Sequence, residues 1–254
     1  MHYFNGSQNY MCGITSFFCD ISHIYYLCKM NNDCNTCTFK SKASETLGED
    51  HLTYLSCNNA MVKFQKGDSI IKQGMFSTNV VYLRRGLAKI HITGPYREQI
   101  VRIIKAPCYL GLPTTIGDKI NQYSVTAIDA VEVCFIDISA FRILLREAEF
   151  FSYEIIVELC KNELESIRRC ANRTQKQTRG NIADVILEFA DVIYQSDSFT
   201  LPISQADLGN LVDTSRESIS RVLNEFHKDG ILDIKGKRIE ILNKKSLLLI
   251  SHNG

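Results

Sequence analysis

The stretch Leu201-Pro-Ile-Ser-Gln-Ala-Asp-Leu-Gly-Asn-Leu-Val-Asp-Thr-Ser-Arg-Glu-Ser-Ile-Ser-Arg-Val-Leu-Asn-Glu-Phe-His-Lys-Asp-Gly230 reads as two short helices joined by a tight turn. Ser204 with Asp207, and Thr214 with Glu217, are spaced as capping boxes, in which each side chain satisfies an amide left unpaired at a helix start. Gly230 supplies a C-terminal stop. Each residue of the second helix advances about 100°. That advance gathers Ile219, Val222, Leu223 and Phe226 on one face and Arg216, Glu217, Ser220, Arg221 and Asn224 on the opposite one. An arginine can bond guanine O6 and N7 together, a glutamate can accept from a cytosine amino group, and a serine lets a helix approach closely. Arg216, Glu217, Ser220 and Arg221 are therefore the expected base contacts of a helix laid in the major groove.

Downstream, Ile231-Leu-Asp-Ile-Lys-Gly-Lys-Arg-Ile-Glu-Ile-Leu242 alternates apolar and polar residues around Lys235-Gly236-Lys237-Arg238, the pattern of a hairpin with a basic tip. Beside two such helices a hairpin of this kind is a wing, and Lys235 and Lys237 suit phosphate contact. Ser204, Thr214 and Ser215, at the helix starts, are the other expected backbone contacts. Two blander readings stand beside this one: an ordinary two-helix corner with a surface hairpin, or a winged helix that docks a protein partner.

Upstream, the texture changes twice. From Val62 to Ile138 short apolar runs (Val80 to Leu83, Leu87 to Ile92, Ile100 to Ile104, Val131 to Ile136) alternate with glycines, which predicts an antiparallel barrel or sandwich. Past Asp137 the pattern is helical, first Ser139 to Glu147 and then a Pro- and Gly-free stretch from about Phe151 to Gln177. In it Val157, Cys160, Leu164, Ile167, Ala171 and Thr174 recur at spacings of three and four, the seam of a coiled coil and hence of a dimer. A single helix packed on its own barrel would show the same stripe. Its C-terminal half is basic, with Lys161, Arg168, Arg169, Arg173, Lys176 and Arg179. A further helix is expected from about Gly180 to Tyr194.

Composition narrows the function classes. The net charge of the 254-residue chain is +1, so any nucleic-acid contact must come from a local patch. The most apolar N-terminal stretch, Ile14 to Leu27, is interrupted by Asp20 and His23, and the first positive residue is Lys29. Neither a membrane span nor a secretory signal is expected, and the cytoplasm is the expected location. The six histidines are scattered without a nucleophile at recognisable spacing, so no enzyme is expected.

The order of barrel, long helix and winged helix, with Arg216-Glu-Ser-Ile-Ser-Arg-Val-Leu223 and Phe64-Gln-Lys-Gly-Asp-Ser-Ile-Ile-Lys-Gln-Gly74, resembles the CRP/FNR family of bacterial transcription regulators. The resemblance runs from about Asn32 onward. It implies an α+β fold: an N-terminal antiparallel double-stranded β-helix (a jelly-roll-like barrel), a long dimerisation helix and a C-terminal winged helix-turn-helix. The expected boundaries are a flexible N-terminal extension over 1–33, a sensor barrel over 34–138, a linker and dimerisation helix over 139–177, and a DNA-binding domain over 178–254. The resemblance also implies double-stranded DNA with a pseudo-palindromic site, a homodimer, and RNA polymerase as partners. Its matching helices use the positions of Arg216, Glu217, Ser220 and Arg221 for base contacts. Family members often carry glycine in the turn where this chain has Asp213, a residue that tolerates the left-handed backbone.

The signal is less legible. Cyclic-nucleotide-binding members pair a Gly-Glu with a later Arg, whereas this chain reads Cys108-Tyr-Leu-Gly-Leu-Pro113 and Asn121-Gln-Tyr-Ser-Val125, with Leu112 in place of the Glu and no Arg between Lys105 and Arg142. Cyclic AMP is therefore not expected, and the exposed-loop Lys119 is read as solvated. Cys28, Cys34 and Cys37 with Cys134 supply the four thiolates that a [4Fe-4S] cluster needs, as in oxygen-sensing members. The same cysteines also suit small core residues with no metal.

Overall fold

The computed structural model describes residues 33–254, so Cys28 and nearly all of the extension expected over 1–33 lie outside it. Two short helices come first, α1 (Lys42–Glu45) and α2 (Glu49–Cys57). The strands that follow are β1 (Asn59–Phe64), β2 (Ser69–Ile71), β3 (Asn79–Arg85), β4 (Leu87–Thr93), β5 (Glu98–Lys105), β6 (Cys108–Leu110), β7 (Ser124–Ala127) and β8 (Val131–Asp137). They form two four-stranded sheets, in the orders β1-β8-β3-β6 and β2-β7-β4-β5, and every pairing is antiparallel. Ile70, Ile71, Val81, Leu83, Ala88, Ile104, Val125, Val131 and Val133 form one buried cluster. β-branched residues dominate it, as a pleated half-buried surface favours.

Helix α3 (Ile138–Glu147) starts on Asp137, whose carboxylate accepts from the amides of Ser139 and Ala140. The long helix α4 runs Glu149–Gln175, two residues earlier at each end than its expected span. Its first turns bury Phe151 and Ile155 against Phe141 and Leu144 of α3 and against Tyr82 and Tyr109 of the barrel. Further along, one side of α4 stays against the barrel, where Arg102 donates to Asn162, while apolar side chains on the other side face outward: Leu164 is 68% exposed and Ile167 57%.

Helix α5 (Thr178–Glu188) does not continue as a regular helix to Tyr194; Phe189–Tyr194 forms a π-helical turn. That widening lets Phe189 and Tyr194 stack with Phe199 of the short strand β9 (Ser198–Thr200), with ring centroids 6.0 and 5.4 Å from it. Helices α6 (Gln205–Val212) and α7 (Arg216–Lys228) follow, then β10 (Leu232–Lys235), β11 (Arg238–Ile241) and α8 (Lys244–Asn253). The buried face of α7 consists of Ile219, Val222, Leu223 and Phe226, the set that the helical advance predicts. Their cluster also takes in Leu87, Ile100, Ile103 and Ile128 of the barrel, so the two parts of the chain share buried apolar surface.

Candidate nucleic-acid interface

The turn between α6 and α7 fixes how the second helix is presented. Ser204 caps α6 in a full box: its hydroxyl accepts from the Asp207 amide at 3.0 Å, and the Asp207 carboxylate accepts from the Ser204 amide at 3.1 Å. Asp213 ends α6 at φ 60, ψ 49, the left-handed conformation expected of it, and Arg97 of the barrel bonds its carboxylate. The Thr214 amide then closes on the Gly209 carbonyl at 2.9 Å. A side chain at 209 would collide there, because a Cβ would meet the Thr214 carbonyl oxygen at 2.7 Å.

The second cap differs from its expected form. Thr214 is spent on closing the turn, so α7 begins one residue later with Ser215 as its cap, whose hydroxyl accepts from the Ser218 amide at 3.2 Å. Glu217 therefore does not close a box on Thr214. Its own backbone amide and the Ser215 hydroxyl hold its carboxyl below the usual glutamate range. The side chain is fully ionised at neutral pH and solvent-facing.

Arg216, Glu217, Arg221 and Asn224 are exposed and Ser220 is half-buried. Together with Gln205 of α6 they line one open depression on the surface. The four expected base-reading side chains thus share one face. Across the wing, Lys235 pairs with Arg238 in register, leaving Gly236 and Lys237 as a two-residue turn, with Gly236 at φ 65. Lys237 is exposed at the tip. Lys235 lies 2.8 Å from Asp233, which discounts its charge toward phosphate. Ser204 is committed to its cap, Ser215 caps α7 from an exposed position, and Thr214 is half-buried.

Sequence reasoning missed β9, which adds a third strand to the wing by pairing with β11. Three residues with no helical or strand periodicity to betray them would be its only signal. It also read the basic half of α4 as charge lying near whatever follows. In the structure most of that charge is neutralised: Arg168 and Arg169 bond Glu165, Arg169 also bonds Glu188, Lys176 bonds Asp184, and Arg179 bonds Glu225 and Asp229. Arg173 donates to the carbonyls of Val101 and Leu211. These side chains fasten α4 and α5 to their surroundings.

The sensor region has no nucleotide-recognition set. Leu112 is 3% exposed and packs with Val80, Tyr82 and Tyr109, while Thr114 bonds the Gly111 carbonyl and Asn121. At Leu112, where the resemblance puts the Glu, a buried apolar side chain offers no carboxylate to a ribose. The residues do not fit a cyclic nucleotide. Of the iron-sulfur set, Cys34, Cys37 and Cys134 line one small cavity and Cys28 lies outside the described residues; among the described residues alone no three His, Cys, Asp or Glu side chains are placed to hold a metal ion.

Residues 61–148 match the cyclic nucleotide-binding domain and residues 181–250 match the Crp-like helix-turn-helix domain. The chain is 26% identical over 195 residues to electron transport regulator A of Shewanella oneidensis, covering 74% of this chain and 77% of that protein. It is 26% identical over 196 residues to the fumarate and nitrate reduction regulatory protein of Vibrio cholerae, covering 72% and 75%. Among solved structures, FixK2 from Bradyrhizobium japonicum superposes with a TM-score of 0.69 at 17% identity, over 76% of this chain and 96% of that one. A CRP-family transcriptional regulator of Thermus thermophilus superposes with a TM-score of 0.66 at 18% identity, over 76% and 97%. With both domains matched in this order on this fold, the chain belongs to the CRP/FNR family of DNA-binding transcriptional regulators.

Proposed function

We propose that the protein is a homodimeric, sequence-specific regulator in which Arg216, Glu217, Ser220 and Arg221 read bases in the major groove while Lys237, Lys235 and the helix starts hold phosphates. The observation that carries this reading is the outward polar face of α7, set by the Asp213 turn and backed by a fully buried apolar face. Arginine and glutamate there have donors and acceptors that match base edges.

Dimerisation is supported by the exposed stripe of α4. Leu164, Ile167, Cys160 and Ala171 all face solvent, with Val157 half-buried at its start, at spacings that suit a second helix. An unpartnered apolar stripe of this length marks an interaction surface. A dimer would place two α7 helices on half-sites about one helical turn of DNA apart. RNA polymerase and a cytoplasmic location follow from that role, and among the described residues no helix is long and apolar enough to cross a membrane.

The test is selection of duplexes from a random library, followed by binding at several salt concentrations. An enriched pseudo-palindrome, with affinity that falls steeply between about 50 and 200 mM salt, is expected. No preferred sequence, or binding indifferent to salt, would remove the regulator reading.

A further inference from the structure

Cys34 and Cys37 lie in one turn, which Asp33 organises: its carboxylate accepts from the Asn35 amide at 2.9 Å and its carbonyl from the Thr36 hydroxyl at 3.4 Å. A tight turn brings residues three apart to within about 7 Å at Cα, and a disulfide spans about 4.4 to 6.8 Å. Both side chains are half-buried and unbridged. Together with Cys134 they line a cavity of about 30 Å³ beside Tyr82, Arg84 and Tyr109. That is room for roughly one or two water-sized molecules.

The two sulfurs have different neighbours. Cys37 Sγ accepts from Arg84 Nη2 at 3.3 Å, and Cys34 Sγ accepts from Asn59 Nδ2 at 3.4 Å. Arg84 also lies over the Phe39 ring, 5.8 Å from its centroid. A guanidinium at a sulfur stabilises the negative charge that the sulfur carries when it attacks an electrophile.

We propose that Cys34 and Cys37 form a reversible disulfide when a peroxide enters this cavity, and that the bond is the signal read by the DNA-binding domain. The sulfur of Cys37 attacks one peroxide oxygen. The O–O bond breaks, leaving a sulfenic acid on Cys37, and the departing oxygen takes the thiol proton and leaves as water. The sulfur of Cys34 then attacks the sulfur of Cys37. The S–O bond breaks, and the hydroxide leaves with the Cys34 proton as a second water. Two thiols and one hydrogen peroxide thus give one disulfide and two waters, with two electrons passing from sulfur to oxygen.

A contiguous path leads from this turn to α4. The Phe39 carbonyl accepts from Tyr82 Oη at 2.8 Å, the Tyr82 and Tyr109 rings lie 4.8 Å apart, and the Tyr109 amide donates to Glu158 of α4 at 3.2 Å. Drawing the Cys37 sulfur toward Cys34 removes a partner of Arg84 at the head of that path. This coupling half rests on the regulator reading above; the disulfide does not.

The full chain, reduced and then treated with equimolar hydrogen peroxide, is expected to lose about 2 Da and to yield a Cys34–Cys37 peptide that dithiothreitol splits. Cys34→Ser and Cys37→Ser should each abolish that loss, while Cys160→Ser with Cys170→Ser, at exposed positions of α4, should leave it intact. Binding to the duplex enriched above, followed by fluorescence anisotropy, should change at least fivefold on oxidation and not in Cys37→Ser. A Cys37–Cys134 bond, no bond, or earlier oxidation at Cys160 or Cys170 overturns the site. A disulfide that leaves duplex affinity unchanged overturns its role as the signal. Loss of all duplex preference in both states, with the disulfide still formed, counts against the regulator reading instead.

Discussion

Lys89 of the barrel donates to the carboxylate of Asp207 at 3.1 Å, and that carboxylate also closes the cap of α6 on Ser204. One acidic side chain thus helps start a helix and ties the DNA-binding domain to the β4–β5 hairpin. Lys89 is simultaneously 2.6 Å from Glu98, and its ammonium is shared by two carboxylates on different domains. Asp207→Ala removes the tie and the carboxylate half of the capping box, whereas Lys89→Met removes the tie together with the Glu98 pair and leaves the box whole. The expected difference between the two in urea denaturation is about 1 kcal/mol, the usual net contribution of a hydrogen bond such as the one the Ser204 amide loses. Equal losses would mean that the box adds nothing beyond the ion pair.

The same cluster makes stability depend on pH. Burial lowers the native pKa of His91, and Lys89 lowers it further, against the opposing charges of Glu98 and Asp207. Glu98 lies 2.8 Å from Nδ1, but it shares its charge with Lys89, so burial prevails. The unfolded chain therefore binds the proton first as pH falls. A depressed native value means the contribution is complete above the ordinary histidine value of about 6.5 and is lost as pH falls through the lower native one. Asp207 has the same sign: burial raises its carboxyl, but bonds from Ser204 and Lys89 outweigh it and hold it low, so its contribution fades only in more acidic solution. The urea midpoint should drop between about pH 7.5 and pH 5.5. His91→Gln should flatten most of that drop; an unchanged slope would place the titrating group elsewhere.

Gly209 sits inside α6, where glycine is ordinarily a cost. Its reason is the turn: the Thr214 carbonyl passes where a Cβ would stand. Gly209→Ala should therefore destabilise the protein by about 1–3 kcal/mol, as overpacking does, instead of gaining the helix propensity of alanine. The check is the thermal midpoint, and a rise would mean that the turn yields freely.

The helices were legible because they obey a period. The faces of α7, the box at Ser204 and the left-handed Asp213 all follow from residue spacing and local chemistry. The cap of α7 was misplaced by one residue because the turn consumed Thr214, which only the closure onto Gly209 reveals. The docking of Lys89, Arg97 and Gln99 against α6 and its turn was invisible, since each partner lies more than a hundred residues away in sequence. The basic run through α4 and the start of α5 misled because the sequence does not show which acids fold back onto it: Glu188 and Asp184 of α5 for Arg169 and Lys176, and Glu225 of α7 for Arg179. The grouping of Cys34 and Cys37 with Cys134 came from the family resemblance, which gives no sign of the guanidinium of Arg84 beside Cys37.

The exposed stripe of α4 gives a further expectation. Leu164 and Ile167 are 68% and 57% exposed, so replacing them removes no intrachain core contact. The double change Leu164→Glu with Ile167→Glu would set like charges opposite each other across a two-fold seam, which disfavours the dimer. Sedimentation should show a monomer with an unchanged thermal profile of the barrel. Affinity for a palindrome should fall toward that for a single half-site. A dimer that survives both changes would locate the interface elsewhere.

The recognition helix can be divided by what each side chain reads. Arg221 lies one turn along from Arg216 and Glu217 on the exposed face and is close enough to Ser220 to share the depression they line. A bidentate arginine discriminates its base pair by about 1–3 kcal/mol. Arg221→Ala should therefore weaken the enriched duplex by that amount and relax preference at one position per half-site, leaving random duplex little changed. Lys237 occupies the wing turn and is exposed there, and its proposed role is phosphate contact. Lys237→Ala should weaken enriched and random duplexes alike and reduce the slope of log affinity against log salt by about 1 per protomer. If Arg221→Ala also lowers both duplexes equally, its guanidinium holds phosphate, and base reading falls to Arg216 and Glu217.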